Sequence, residues 1–140
     1  MSVRLSNASA ILMLNALVDQ LDGAAGTVDI RSGSAPTNVE DTATGTLLAT
    51  LTLPAPAFGA ASDNNPNAIV AANAITPVVG LAAGVAGYYR VKLNGGTAIW
   101  QGSAGGPGSG ANMILTNANI EVGQAVSVTS WSQVMPEVGS

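Results

Sequence analysis

Apolar positions near the start of the chain recur every three or four residues. Ile11, Leu14, Leu17, Val18 and Leu21 fall on one stripe of a helix, which predicts a helix from about Asn7 to Leu21. Ser6 or Asn7 is suited to cap its start, and Gly23 stands just beyond its end. After Gly26 the period changes to two. Thr27-Val-Asp-Ile-Arg31 alternates Val28 and Ile30 with Asp29 and Arg31, the mark of a half-buried strand. Thr46 to Leu53 reads as a second strand, stopped by Pro54 and Pro56. Between them, residues 32–45 carry turn formers and the Glu40-Asp41 pair, and read as a long loop.

The second half continues in short strands. Strand pattern is expected at 57–60, 68–75 and 78–81, with Asp63-Asn-Asn-Pro-Asn67 as a turn. Tyr88 to Leu93 alternates Tyr89, Val91 and Leu93 with Tyr88, Arg90 and Lys92. Asn94-Gly95-Gly96 then turns the chain and Thr97 to Gln101 returns, since Asn-Gly between alternating runs signals a hairpin. Segments 113–116, 119–121 and 125–134 complete the set, with a turn at 122–124. One helix followed by eight or nine short strands predicts an all-β fold. The expected architecture is a β-sandwich or barrel of about eight short antiparallel strands with one N-terminal helix. No repeat or domain boundary divides the chain. The segments are an arm over 1–6, a helix over 7–22, a β body over 27–134 and a tail over 135–140.

Composition adds one unusual feature. Charged residues make up 9% of the 140-residue chain, where about 25% is ordinary. The net charge is −4, spread thinly. The cations are Arg4, Arg31, Arg90 and Lys92, too few to neutralise the run of phosphates that nucleic-acid binding requires. An exterior so poor in charge resists self-association weakly, which favours a surface covered by other subunits over a neutral monomer. Two stretches imitate targeting signals. Ile11 to Val18 resembles a secretory core, but Asn15 splits it and Asp19 and Asp22 follow. Ala68 to Gly87 is uncharged and of membrane-spanning length, yet it is rich in Ala, Gly and polar residues.

Candidate chemistry is sparse. Gly102-Ser-Ala-Gly-Gly-Pro-Gly-Ser-Gly-Ala-Asn112 invites comparison with a phosphate loop. Such a loop needs a following helix and, for nucleotides, a Gly-Lys-Ser/Thr ending, whereas here a strand follows and no lysine lies beyond Lys92. The run reads as a flexible connection between strands. With no His and no Cys, the common nucleophile–base pairs and zinc sites cannot be built. A Ser–Lys pair has only Lys92 to draw on, and alternation sets Lys92 beside Arg90 on the expected solvent face. Asp19 and Asp22 read as a solvated edge rather than an acid/base pair. Asp63-Asn-Asn reads as a turn rather than a calcium loop. Tyr88, Tyr89, Trp100 and Trp131 read as core rather than a sugar-stacking platform. No catalytic, cofactor-binding or metal residue is assigned, and an enzyme is not expected.

Several stretches carry a resemblance: Gly-Thr-Val-Asp-Ile-Arg-Ser-Gly (26–33), Ala-Pro-Thr-Asn (35–38), and Thr-Ala-Thr-Gly-Thr-Leu-Leu-Ala-Thr-Leu-Thr-Leu (42–53). Gly-Tyr-Tyr-Arg-Val (87–91) and Val-Gly-Gln-Ala-Val-Ser-Val-Thr-Ser-Trp (122–131) complete it. In this order the chain resembles small virion proteins of tailed bacteriophages, in particular the jelly-roll cement, or decoration, proteins of Bordetella-type phage heads. The resemblance implies a jelly-roll protein without cofactors, made in the host bacterial cytoplasm and placed on the virion head surface. Its implied partners are the major capsid protein and itself, as a dimer or trimer, with no nucleic acid and no membrane. Residues 1–6, 32–45 and 135–140 are then the segments expected to reach neighbours. A tail or head-fibre module that recognises a host receptor is the alternative, and it predicts an exposed aromatic cluster from Tyr88 and Trp100. A hydrolase on the same fold is a third reading.

Overall fold

The computed structural model describes residues 6–21, 26–54, 57–64, 67–93 and 96–135. It opens with a helix, α1 (Asn7–Asp19), followed by β1 (Thr27–Ser32), β2 (Leu47–Thr52), β3 (Ser62–Asn64) and β4 (Asn67–Ala71). Next come β5 (Val78–Val79), β6 (Gly84–Lys92), β7 (Ala98–Gly105), β8 (Met113–Leu115) and β9 (Asn119–Ile120). The last two are β10 (Ala125–Val126) and β11 (Val128–Met135). The architecture is all-β with one short N-terminal helix and mostly antiparallel pairing.

Helix α1 forms where the apolar stripe lies. The Ser6 side chain caps it by accepting the Ser9 N–H at 3.1 Å. Ala10, Leu14, Val18 and Leu21 are buried, Ile11 and Leu17 are half-buried, and the helix packs against β3, β4 and β11. The Asn15 carboxamide oxygen, which interrupts the apolar run, accepts the Ala61 N–H at 3.0 Å just before β3. The helix ends at Asp19, short of the expected Leu21. Asp19 is exposed; Asp22 and Gly23 lie outside the described residues.

The main sheet runs β2-β1-β6-β7-β8-β11-β4-β3, with β9 added to the start of β6. Its first half reproduces the alternation of the sequence. Leu51, Val28, Val91 and Trp100 stand in one cross-strand row, and Ala49, Ile30, Tyr89 and Gly102 in the next, all on the core side. The Asn94-Gly95 turn lies outside the described residues, but the hairpin it was expected to close is present. Leu93 donates to the Thr97 carbonyl at 2.9 Å and β6 pairs antiparallel with β7.

The halves meet at β7, where the structure departs from the expected pattern. Residues 98–103 of β7 pair with β6, while Ala104 and Gly105 pair with Met113 and Ile114 of β8 in parallel. The expected all-antiparallel order therefore has one parallel seam. A parallel crossover normally needs a dozen or more residues, but this ladder is two residues long, so a short glycine-rich loop suffices. The side chains of both halves enter one core, as in a β-sandwich. Four rings span it: Phe58 stacks edge-on to Trp131 at 4.7 Å, Tyr89 meets Trp131 at 5.1 Å, and Trp100 lies 6.1 Å from Trp131.

Other elements moved modestly. Segment 57–60 contributes a single bridge, Phe58 to Ala72, instead of a strand. Of the expected turn at Asp63–Asn67, residues 65 and 66 lie outside the described residues, while Asp63 and Asn64 belong to β3 and Asn67 to β4, which pair antiparallel. The expected strand 125–134 divides into β10, which pairs with β5, and β11, which pairs with β8 and β4. Uncharged segment 68–87 is spread over β4, β5 and β6, and no helix among the described residues is long and apolar enough to cross a membrane.

Trp131 is the ring all three others touch, so its removal tests the seam. Trp131→Ala should cost about 3–5 kcal/mol and remove the cooperative thermal transition, measured by circular dichroism and denaturant titration. A loss below about 1 kcal/mol would contradict this packing.

Candidate functional site

The glycine-rich run can be judged first. Its opening residues, Gly102 to Gly105, belong to β7, and β8 begins at Met113. Between them the loop is closed by side chains. The Asn112 carboxamide oxygen accepts from the Ser103 N–H and hydroxyl at 3.3 and 3.1 Å, and Asn112 N–H donates to Ser103 Oγ at 3.0 Å. Gly108 and Gly110 have φ of 80° and 75°, which the turn requires and other residues rarely adopt. No helix follows, so its N–H groups meet no helix dipole and the loop is a strand connection.

The densest polar cluster lies instead on the outer face of β1, β6 and β7. Strand alternation puts Thr50, Asp29, Arg90 and Gln101 in one row there. This face is not open. Arg90 is 5% exposed under the loop 33–46, which folds back across the face, and Asp29 is 3% exposed between Thr50 and Lys92. Arg90 Nη1 donates to the Asp41 carbonyl at 2.8 Å, and its Nε and Nη2 donate to Gln101 Oε1 at 3.2 and 2.9 Å. Gln101 Nε2 donates to the Pro36 carbonyl at 2.7 Å. The Tyr88 hydroxyl donates to the Thr44 carbonyl at 2.7 Å and accepts the Thr44 N–H at 3.0 Å. At the loop's ends, Ser32 Oγ accepts the Thr46 N–H and Arg31 Nη1 donates to the Gly45 carbonyl.

The strap lies close. At Gly87 of β6, a Cβ would run into the Gly33 backbone, so only glycine lets the two chains cross. Beside it, Lys92 Nζ is 2.7 Å from Asp29 Oδ2, and Thr50 Oγ1 donates to Asp29 Oδ1 at 3.1 Å.

These contacts correct two expectations. Arg90 was placed on a solvent face and is buried; Lys92 is half-buried and tied to Asp29. Alternation fixed the face correctly, but the covering strap depends on hydrogen bonds between residues more than forty positions apart in sequence, which no local period records. Segment 32–45, expected to reach outward, has Ser32 in β1 and its remainder pinned over the sheet. Residues 1–5 and 136–140 lie outside the described residues; Ser6 caps α1 and Met135 ends β11. With its ammonium engaged by a carboxylate, Lys92 is not poised as a base for a serine.

Tyr88, Tyr89, Trp100 and Trp131 are all buried, so they form no stacking platform. The Tyr89 hydroxyl donates to Gln133 Oε1 at 3.2 Å. Burial raises its pKa above the usual tyrosine value, partly opposed by the indole groups of Trp131 and Trp100 turned toward the oxygen. Neither indole N–H reaches a partner with hydrogen-bonding geometry, and desolvation of the buried phenol outweighs them. Among the described residues no three His, Cys, Asp or Glu side chains group as metal ligands, and exposed Asp63 stands within β3. A cavity of about 310 Å³ opens between the end of β2 and the segment before β5, lined by Thr52, Leu53, Pro54, Ala74, Thr76 and Val78. Among the described residues its walls carry no ionisable group and offer shape rather than chemistry.

Among known protein families, curated proteins and solved structures, no match to this chain is found.

Two measurements follow from this geometry. Arg90→Met leaves the Asp41 carbonyl and Gln101 without their donor. It should cost about 2–3 kcal/mol and speed cleavage by a glutamate-specific protease at Glu40; an unchanged cleavage rate would show that the strap is held otherwise. A raised Tyr89 pKa means the folded state keeps its proton when the unfolded chain has lost it. That contribution is complete below the unfolded value near 10 and disappears as pH rises through the folded value. Alkaline unfolding should therefore begin above about pH 10, and Tyr89→Phe should flatten this limb of the stability profile.

Proposed function

We propose that this chain is a structural protein of a phage virion: a jelly-roll cement, or decoration, protein that binds the outer surface of the head. It would act there as a homo-oligomer, clamping neighbouring copies of the major capsid protein against the pressure of packaged DNA. The resemblance of segments 26–33, 35–38, 42–53, 87–91 and 122–131 to such proteins motivates the reading. What supports it over a receptor-binding module is the burial of Tyr88 and Trp100, the two rings an adhesive surface would display.

The physical properties suit a clamp. Each contact with a shell need be only weak, because repetition over many sites multiplies it. A clamp must then transmit load without deforming. Here the aromatic seam locks two sheet halves together and the strap fastens the outer face. A surface with few charges and exposed aliphatic side chains packs closely against other subunits.

The test is a comparison of phage heads made with and without this protein. Heads lacking it should lose DNA at lower temperature and on dilution into low salt, and purified protein added back should restore them. Quantitative mass spectrometry of virions should find hundreds of copies. A handful of copies, or heads equally robust without the protein, would transfer the role to the tail or remove it.

A further inference from the structure

Six large apolar side chains stand exposed among the described residues, and four of them share one lobe. Val79, Leu81, Val85 and Val122 are between 56% and 72% exposed. Main-chain bonds bring them together. Gly80, between Val79 and Leu81, bridges to Val122; its N–H donates to the Gln124 carbonyl at 2.8 Å, and Gly123 N–H donates to its carbonyl at 3.0 Å. Val79 pairs with Ala125, and Val85 with Asn119. Leu81 N–H donates to the Leu48 carbonyl at 2.7 Å, fastening the lobe to the edge of β2. The uncharged cavity at Val78 borders it.

We infer that this lobe is the face through which two copies of the chain associate. The inference deepens the self-association in the proposed function and rests on it for its biological setting. Charge selects the partner. Each copy carries a net charge of −4, so copies repel except where charges are absent. Across residues 74–85 and 119–126 the one ionisable side chain is Glu121. A cationic partner would find a single carboxylate there. A membrane surface would call for the Trp, Tyr, Lys or Arg that anchor at lipid headgroups, and the lobe has none. The surface is matched by one equally aliphatic and uncharged, and a two-fold contact supplies that by setting the lobe against itself. The well-bonded ladder beneath gives it a fixed shape.

The test uses the full chain in the absence of phage heads, so its outcome is separate from that of the head-stability experiment. Sedimentation velocity over a concentration series should show wild-type dimers. Val122→Asp and Leu81→Asp should lose the dimer while keeping the wild-type circular dichroism spectrum. Leu12→Asp, at a 69% exposed position on α1, should leave it intact. Because the chain has no cysteine, Val122→Cys should oxidise to a covalent dimer and Leu12→Cys should not. A wild-type monomer throughout, dimers that survive both lobe substitutions, or equal loss with Leu12→Asp would each overturn the inference. So would failure of Val122→Cys to cross-link more than Leu12→Cys.

Discussion

Residues 88–91 of β6 are buried on both faces, and that constraint organises the molecule. On the core side Tyr89 and Val91 join the aliphatic rows. On the other side Tyr88 and Arg90 are equally covered. A guanidinium withdrawn from water must have its donors satisfied, because an unpaired buried charge is far more costly than an unpaired neutral group. Strand neighbours provide Gln101 but cannot satisfy the rest. The strap over 33–46 adds the Asp41 carbonyl to Arg90 and the Pro36 carbonyl to Gln101, which is why a loop rich in turn residues lies against the sheet.

The core side carries the second connection. Trp131 from one half of the sheet reaches Tyr89 and Trp100 from the other, with Phe58 against it. Large rings at this point compensate for a short β7–β8 ladder, since two parallel residue pairs hold little by themselves. The Tyr89 hydroxyl and two indole N–H groups make this a partly polar seam. Within it the Tyr89–Gln133 hydrogen bond ties β6 to β11 across the two halves.

With both of these features inside, little ionic character remains outside. Asp29 and Arg90 are spent on the interior of the fold, and Lys92 is engaged with the former. Besides the carboxylates of Asp19, Glu40, Asp41, Asp63 and Glu121, the described exterior is made largely of Ser, Thr, Asn and Gly and of the aliphatic lobe around Gly80. The buried polar row and the lobe proposed for association thus lie in different parts of one chain, so each can be altered without the other. A clamp on a shell would use that separation, holding its shape under load while weak, repeated contacts do the binding.

Local periodicity was enough to determine the helical stripe from Ile11 to Leu21, the core rows of β1, β2 and β6, and the β6–β7 hairpin. Each is a relation between residues a few positions apart, and the chain's own geometry enforces it. The missing His and Cys likewise removed whole classes of chemistry before any fold was known. Other features came from tertiary structure alone. The parallel seam, the burial of Arg90, the folding back of 33–46 and the gathering of Val79, Leu81, Val85 and Val122 all join segments distant in sequence. Alternation states which side chains share a face, but not what lies over that face. That is decided by which distant segment can satisfy its polar groups, and only the folded chain brings the two together.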